Sequence, residues 1–380
     1  MIRFCKAPVG PNSIEYMLRA LETGDTSGDN EFTYRCHDWL KAKTGMHAAY
    51  LNPSGTHSLE LACLTMGVKP GDEVIMPSFT FAATANCVAI RGATCVFVDV
   101  RPDTMNIDET LIEDAITERT VGILPIDYAG IPAEYDRIGE IAARHGLWVI
   151  ADAAQSLMST YKGCPAGGLA DLSCFSFQDT KNFSLGEGGA ILCSTEALAF
   201  TAERIRENGT NRQRYVRGEL DKYTWDTVGS SYLAPDTDAG NLLGQFEIAD
   251  EITQDRLNTW DYYYERLAPL AGEGLISLPT VPDHVRHNGH IFYFKTRDVD
   301  TRTELLYAMQ RDEIGALSHY LPLHSCPAGL RHGRFHGEDR WTTAESEKIV
   351  RLPIYYQIAR EDLDTVVRKV YEFYERGAKK

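Results

Sequence analysis

The sequence has 380 residues, of which 43% are hydrophobic and 24% are charged; this composition is typical of a folded globular protein and excludes an intrinsically disordered chain. Lysine and arginine number 38 against 54 aspartate and glutamate residues, so the formal net charge is −16. This balance excludes a broad nucleic-acid-binding surface, which needs an excess of basic side chains, and no apolar run approaches the roughly 18 residues of a membrane span, which excludes an integral membrane protein.

Predicted strands alternate with helical patterns through the first two thirds of the chain. The strands are predicted at residues 72–77, 93–99, 121–126, 147–151, 173–177 and 190–193. Such nearly continuous apolar runs are typical of strands that are buried on both faces of a sheet. A helix is predicted at residues 138–145, with Gly146 as its C-terminal cap. The alternation predicts an α/β fold with a mostly parallel central sheet.

The pattern changes after residue 245. The elements predicted there are one long helix at 246–270, a strand at 290–295, and helices at 301–311 and 360–376. We therefore predict a large α/β domain over residues 1–245 and a smaller C-terminal α+β domain over residues 246–380.

Two charged residues near the predicted strands are the first candidates for chemistry. Asp152 follows a buried strand, at the sheet edge where ligands bind in open α/β folds. A buried carboxylate is costly without a cationic partner, although a helix cap or a loop contact is an alternative role for it. Lys181 follows another strand, and partial burial would lower the pKa of its amine and make it a nucleophile. Its alternative role is that of an ordinary surface lysine.

Small and aromatic residues on neighbouring segments supply the rest of a binding site. Gly55 and Thr56 precede a helix-like run, where backbone N–H groups suit a phosphate, although ordinary N-cap chemistry is an alternative. Ser176 offers a hydroxyl to the same phosphate. Phe81 suits a flat ring or, alternatively, the core. With Asp152 and Lys181, these residues describe a ligand with a basic ring nitrogen, an aldehyde and a phosphate, which is pyridoxal 5′-phosphate.

Several stretches of the chain resemble a known family. The stretches are 152–155 (DAAQ), 174–177 (CFSF), 180–182 (TKN) and 186–189 (GEGG), and they are similar to the DegT/DnrJ/EryC1/StrS sugar aminotransferases. This resemblance, which spans essentially the whole chain, implies the aspartate-aminotransferase type I fold, pyridoxal 5′-phosphate as cofactor, and a homodimer with shared active sites.

The resemblance also implies a role for individual residues. Lys181 is expected to bind the cofactor aldehyde, Asp152 to hold the pyridine N–H, Gln155 to contact the ring hydroxyl region, and Phe81 to stack on the ring. The residues expected to bind the phosphate are Ser176, Gly55, Thr56 and Ser231. Ser231 is a departure from the family pattern, because relatives usually have an asparagine at that place, which the partner subunit contributes to the phosphate site. Gln178 is a second departure, because many relatives have an aromatic residue or histidine there.

Three further stretches narrow the resemblance to one branch of the family: 158–163 (MSTYKG), 209–212 (GTNR) and 222–225 (KYTW). They imply transfer of an amino group from L-glutamate to C4 of dTDP-4-keto-6-deoxyglucose, giving dTDP-4-amino-4,6-dideoxygalactose for a surface polysaccharide. The alternatives are amination at C3, a UDP-linked or other nucleotide sugar, a gluco-configured product, and a non-catalytic nucleotide-sugar-binding protein. Lys181 argues against a dehydratase of this family, in which histidine replaces the lysine, and the missing Gly-x-Gly-x-x-Gly turn argues against a nicotinamide enzyme.

The diphosphate of a nucleotide sugar needs cationic partners in an acidic protein. Arg212, Arg214 and Arg217 are the candidates, with a solvated charged loop as the alternative, and His324 is a further substrate-binding candidate. The two loose histidine clusters of the C-terminal third match no zinc spacing, so we expect no metal site. Nine scattered cysteines without a CxxC pair, and a beginning without a signal-peptide core, predict reduced thiols and a cytoplasmic location.

Overall fold

The computed structural model describes residues 1–377. Its strands are β1 Ala48–Asn52, β2 Glu73–Pro77, β3 Thr94–Val98, β4 Thr120–Ile123, β5 Trp148–Asp152, β6 Thr160–Tyr161, β7 Cys164–Pro165, β8 Leu172–Ser176, β9 Gly189–Cys193, β10 Ile276–Ser277, β11 Val285–Arg286, β12 Phe292–Thr296, β13 Gly333–Phe335 and β14 Ile349–Leu352. Its α-helices are α1 Ser13–Thr23, α2 Glu31–Thr44, α3 Gly55–Thr65, α4 Ala82–Ala89, α5 Tyr135–His145, α6 Glu196–Arg206, α7 Arg212–Val216, α8 Asp236–Phe246, α9 Ala249–Gly272, α10 Val299–Arg311, α11 Pro327–His332, α12 Thr342–Ser346 and α13 Arg360–Gly377. Within residues 1–377, no helix combines the length and the apolar character that a membrane crossing requires.

The central sheet is α/β and mostly parallel, as predicted. Its order is β1-β9-β8-β5-β4-β2-β3-β13. The neighbours from β8 to β13 are parallel, and β9 runs antiparallel to both β8 and β1. Alternate side chains of β5 enter opposite cores, since Val149 and Ala151 join one hydrophobic cluster and Ile150 joins another. Burial on both faces explains why these strands are continuously apolar.

The predicted strands are confirmed, with one early ending. Five of the six differ from the structure by a single residue at their ends. The strand predicted at 121–126 ends at Ile123, two residues before Pro125, which lacks an N–H group for the ladder. The sequence patterns did not predict β1 or β13, which are the two edge strands of the sheet.

The long helix predicted at 246–270 is present as α9, Ala249–Gly272. It begins three residues later than predicted, because Phe246 is still the last residue of α8 and the backbone of Ile248 lies outside the helical region. The ring of Phe246 stacks on Trp39 at 4.0 Å between centroids. Phe246 is therefore the last residue of α8 and packs against α2. The strand predicted at 290–295 and the helices at 138–145, 301–311 and 360–376 are present, and Gly146 caps α5 in the left-handed conformation.

A second sheet, ordered β10-β12-β14, packs with α9, α10 and α13 around a separate hydrophobic cluster. Pairings between residues far apart in sequence join the region before residue 245 to the region after it. Ile2 bridges to Ile314, and β13 pairs with β3 of the central sheet. The division at residue 245 stays a prediction, since these pairings cross it.

The carboxyl ends of the parallel strands meet at one edge of the central sheet. Four segments leave that edge: 78–81 after β2, 124–130 after β4, 153–156 after β5 and 177–182 after β8. This is the edge at which open α/β sheets bind ligands, and the predicted cofactor-binding residues Phe81, Asp152, Gln155, Ser176 and Lys181 lie on these segments or at the strand ends before them.

Candidate active site

Asp152 is the last residue of β5 and is only 6% exposed. Its Oδ2 accepts a hydrogen bond from Thr84 Oγ1 at 2.8 Å, and its Oδ1 accepts one from the Ala154 amide at 3.2 Å. Thr84 Oγ1 in turn lies 2.7 Å from Thr80 Oγ1. Burial raises the pKa of the Asp152 carboxyl, while the bond from Thr84 and the charge of Lys181 oppose the rise. The alternative role of Asp152 as a contact for a loop amide is therefore part of the structure, and no cation of residues 1–377 bonds its carboxylate.

Lys181 lies in a short turn after β8. Its backbone amide donates a hydrogen bond to the Gln178 carbonyl at 2.8 Å. The side-chain oxygen of Gln178 accepts hydrogen bonds from both the backbone amide and the hydroxyl of Thr180. Burial lowers the pKa of Lys181 to about 8, against the opposing charge of Asp152, and the charge of Arg351 lowers it further. A substantial fraction of the amine is therefore neutral near pH 8. Lys181 lines a cavity rather than open surface, together with Gln155, Ser176, Asn182 and His290 among others.

The N-terminus of α3 lies against the end of β8. Ser54 caps this helix, with its hydroxyl accepting the His57 amide at 3.1 Å. A Cβ atom added to Gly55 would lie 2.7 Å from the Cβ of Ser176, and one added to Gly189 would lie 2.5 Å from the Ser54 carbonyl oxygen. These glycines therefore permit a close approach that brings backbone N–H groups beside the Ser176 hydroxyl. Such an arrangement suits a phosphate.

Gln155 is buried and is held at both ends of its amide. Its Oε1 accepts a hydrogen bond from the Ala129 backbone amide at 2.8 Å, and its Nε2 donates one to the Tyr320 hydroxyl at 3.2 Å. Its own carbonyl accepts a bond from Asn288 Nδ2 at 2.8 Å. The orientation of the Gln155 side chain is therefore defined before any ligand binds.

Phe81 is 61% exposed at the start of α4, so the alternative that it is a core residue is excluded. Its ring lies 6.4 Å from the ring of Tyr320. The neighbouring Phe79 is the core residue instead, packed 4.9 Å from the ring of Tyr128. Phe81 is thus free to stack on a ligand at the same sheet edge.

The three arginines predicted to bind the diphosphate lie on α7 or directly after it, and all are paired. Arg212 lies 3.5 Å from Glu207, Arg214 bonds Glu219 at 2.9 Å, and Arg217 bonds Glu203 at 2.8 Å. Within the single chain, none of the three lines the Lys181 cavity. A substrate role for them therefore stays a prediction that depends on another subunit.

His324 and Ser231 also lie outside the lining of the Lys181 cavity. His324 bonds the hydroxyl of Ser78 through Nδ1 at 2.7 Å, and its Nε2 lies 3.2 Å from Asp339. Ser231 is exposed, and its backbone forms an isolated β-bridge with Glu207, which is buried. Their proposed contacts also stay predictions.

The sequence analysis missed several polar residues of the site: Thr80, Thr84, Asn182, Arg351 and Tyr320. Asn182 connects Lys181 to His290, whose Nδ1 lies 2.9 Å from its Oδ1. Burial and the charge of Lys181 hold the pKa of His290 well below its usual range, so its ring is neutral. Two signals were available, namely threonines four apart after the strand that ends at Pro77, and one arginine inside the apolar run 349–352.

The donor set fits pyridoxal 5′-phosphate. A buried carboxylate can bind a protonated ring nitrogen, a partly neutral lysine can react with an aldehyde, and a helix N-terminus beside a hydroxyl can bind a phosphate. The glycine contacts at Gly55 and Gly189 place these last two groups together.

Comparison with known proteins gives concordant matches. A sequence model of the DegT/DnrJ/EryC1/StrS aminotransferase family matches residues 11–371. The GDP-perosamine synthase of Caulobacter vibrioides is 33% identical over 364 residues, covering 94% of each chain. The UDP-4-amino-4-deoxy-L-arabinose–oxoglutarate aminotransferase of Shewanella sediminis is 31% identical over 379 residues, covering 97% of each chain. The putative sugar aminotransferase Spr1654 of Streptococcus pneumoniae, solved in its PLP form, superposes with a TM-score of 0.88 at 24% identity and covers 99% of each chain.

Proposed function

The chain belongs to the DegT/DnrJ/EryC1/StrS aminotransferase family and is a transaminase that uses pyridoxal 5′-phosphate, and we propose that it transfers an amino group from L-glutamate to C4 of a nucleotide-linked 4-keto-6-deoxy sugar. The observation that carries the proposal is the presence of Lys181, with its lowered pKa, at the same sheet edge as the buried carboxylate of Asp152. The names of two relatives support nucleotide sugars as substrates, and one of these names includes a 4-amino sugar and oxoglutarate.

The finer proposal is conversion of dTDP-4-keto-6-deoxyglucose to dTDP-4-amino-4,6-dideoxygalactose. The stretches at 158–163, 209–212 and 222–225 support it by their resemblance to one branch of the family. C3 amination and UDP- or GDP-linked substrates are the competing outcomes.

When bound, pyridoxal 5′-phosphate supplies an aldehyde that condenses with amines and a protonated ring that withdraws electrons from the reacting carbon. Asp152 keeps the proton on the ring nitrogen, while Thr84 and the Ala154 amide orient its carboxylate. The Lys181 amine removes the α-proton of glutamate and, in the second half-reaction, donates a proton to C4 of the sugar. Ser176 and the N-terminus of α3 bind the phosphate.

We further propose a homodimer that completes the active site. The segment between α7 and α8 carries exposed apolar side chains, with Trp225 77% exposed and Val228 68% exposed. Large apolar side chains left exposed within one short segment are a reason to propose an interface there. In the dimer, Ser231 of the partner subunit would donate to the phosphate, and the α7 arginines would approach the diphosphate.

The test is to incubate the purified protein with glutamate and dTDP-4-keto-6-deoxyglucose and to identify the amino sugar by NMR. The expected product carries an axial amine at C4. An equatorial amine, amination at C3, or faster turnover of UDP- or GDP-linked 4-keto sugars would overturn the finer proposal. No amino sugar from any of these substrates would overturn the function itself.

A further inference from the structure

Arg351 is a buried cation on the side of the site contributed by the C-terminal part of the chain. It lies in β14, paired with Tyr293 of β12, and is 7% exposed. The other residues of that strand, Ile349, Val350 and Leu352, are apolar and fully buried. The backbone of Arg351 exchanges hydrogen bonds with Leu317, which holds the strand beside the segment that leads to Tyr320.

Within residues 1–377, the direct contacts of the Arg351 guanidinium are with neutral groups. One terminal nitrogen bonds His319 Nε2, the group lies 4.6 Å over the ring of Phe4, and its Nε is buried without any hydrogen-bond partner. Burial lowers the pKa of Arg351, and the groups that favour its charge are Tyr128, Tyr320 and a cysteine thiol rather than carboxylates. A buried charge with an unsatisfied donor and no counter-ion is costly in a folded protein.

Two other buried arginines have partners that compensate for their charge. The Nε of Arg206 is also buried without a hydrogen-bond partner in the described chain, but both terminal nitrogens of Arg206 bond Asp29. Arg256 is also buried, but its Nε donates to the Gly289 carbonyl at 3.2 Å and its Nη2 to the His290 carbonyl at 2.8 Å. Backbone carbonyls thus compensate for its burial, as they do for many structural arginines. Arg351 retains a donor that points to no group of the described chain.

Contacts connect Arg351 to the active site. The ring of His319 stacks on Tyr320 at 3.9 Å, and the Tyr320 hydroxyl accepts the bond from Gln155, which lines the Lys181 cavity. His319 Nδ1 lies 3.3 Å from the Tyr128 hydroxyl. Because burial keeps the pKa of His319 far below its usual range, its ring is neutral and accepts from Arg351 without cancelling its charge.

We propose that Arg351 binds a carboxylate of the amino donor, and this inference rests on the proposed use of glutamate by the same site. A guanidinium presents paired N–H donors that match a planar carboxylate. Arg351 does not itself line the Lys181 cavity, but its charge acts on the Lys181 amine. At 7% exposure, its guanidinium suits a small anion that binds together with the reacting amine. The diphosphate of the sugar nucleotide is bulkier and needs an open surface.

The proposal predicts that the two half-reactions depend differently on Arg351. Glutamate carries carboxylates and meets the PLP form, whereas the keto sugar meets the pyridoxamine form and its sugar ring has no carboxylate. Loss of the guanidinium therefore weakens the first half-reaction selectively. A merely structural role would weaken both.

The test measures each half-reaction separately in R351Q, R351K and the control R297Q, which replaces an exposed arginine. Conversion of the PLP form by glutamate is followed in single turnovers without sugar. R351Q should raise the apparent dissociation constant for glutamate about 10- to 100-fold, as expected for a lost charge-assisted bond, with R351K intermediate. The pyridoxamine half-reaction with keto sugar should stay within about threefold of wild type, as should both half-reactions of R297Q.

Calorimetric titration of the holoenzyme with glutarate, an unreactive dicarboxylate, gives a second readout. Wild type should bind glutarate and R351Q should bind it at least tenfold more weakly. Unchanged glutarate and glutamate affinities in R351Q, or equal losses in both half-reactions, would overturn the role of Arg351. If R351Q does not fold, R351K decides by the same criteria. Wild type that binds glutarate but does not react with glutamate would overturn the proposed function and leave the carboxylate site intact.

Discussion

The Lys181 cavity and the surface around α7 hold their cations in opposite ways. On α7 and directly after it, the partly exposed Arg214 and the exposed Arg217 are paired with nearby glutamates. Around the cavity, Lys181 is half-buried and Arg351 is buried, and neither has a bonded carboxylate within residues 1–377. Exposed ion pairs contribute little to stability, whereas an unpaired buried cation is a cost that the fold retains for a ligand. In this molecule, a buried cation without a carboxylate partner therefore indicates a ligand-binding residue better than a cluster of exposed, paired cations does.

The largest expected effect is that of Lys181→Ala. Removing the amine should lower multiple-turnover transamination by roughly 10³-fold or more, since both the nucleophile and the proton carrier are lost. The measurement is steady-state turnover with glutamate and keto sugar. The control is Lys162→Ala, which removes an exposed lysine paired with Asp136. Substantial turnover by Lys181→Ala would contradict the assignment.

Asp152→Asn should come next. The amide cannot keep the ring nitrogen protonated, so turnover should fall about 10²- to 10³-fold, a typical loss for one preorganised electrostatic contact. Circular dichroism should show an unchanged fold. Near-normal turnover in a folded, cofactor-loaded variant would mean that the carboxylate is only a loop contact.

Thr84→Val tests the support behind that carboxylate. The variant loses the 2.8 Å bond to Asp152, and a hydrogen bond to a charged group is worth about 1.5–3 kcal/mol. We expect turnover to fall about tenfold or more and the visible spectrum of the bound cofactor to shift. The control is Thr201→Val, in which the lost hydroxyl only bonds a helix carbonyl on the surface. Equal behaviour of the two variants would remove Thr84 from the site.

The pKa of Lys181 gives a pH prediction with a defined sign. Only the neutral amine attacks an aldehyde, so the rate at which cofactor-free protein binds pyridoxal 5′-phosphate should rise with pH and level off above about 8. Asp152→Asn should move this midpoint to lower pH, because the Asp152 charge favours the protonated amine. A midpoint near the ordinary lysine value of 10.5 would contradict the effect of burial.

The smallest effect is expected on α7. Arg214→Gln breaks an exposed ion pair with Glu219 and should change the free energy of unfolding by less than about 1 kcal/mol. Thermal unfolding monitored by circular dichroism measures this. A large loss of stability would show that the Arg214–Glu219 ion pair stabilises the fold strongly, and would contradict the view that the ion pairs around α7 contribute little.

Much of this structure could be predicted from the sequence, because strand ends determine where side chains meet. Asp152 and Ser176 end buried strands that apolar runs reveal, and parallel pairing brings those ends to one edge. The start of α9 was predicted three residues early, because neither glycine nor proline separates α8 from α9 at residues 247–248. An arginine inside the apolar run 349–352 is visible in the sequence, but the missing counter-ion of Arg351 is a property of the folded neighbourhood and not of a sequence pattern.

The most direct measurement is borohydride reduction of the native, cofactor-loaded protein, followed by peptide mass spectrometry. The account predicts one phosphopyridoxyl group, attached to Lys181 and absent from Lys181→Ala. A group attached to another lysine, or no attached group in a protein saturated with pyridoxal 5′-phosphate, would contradict it.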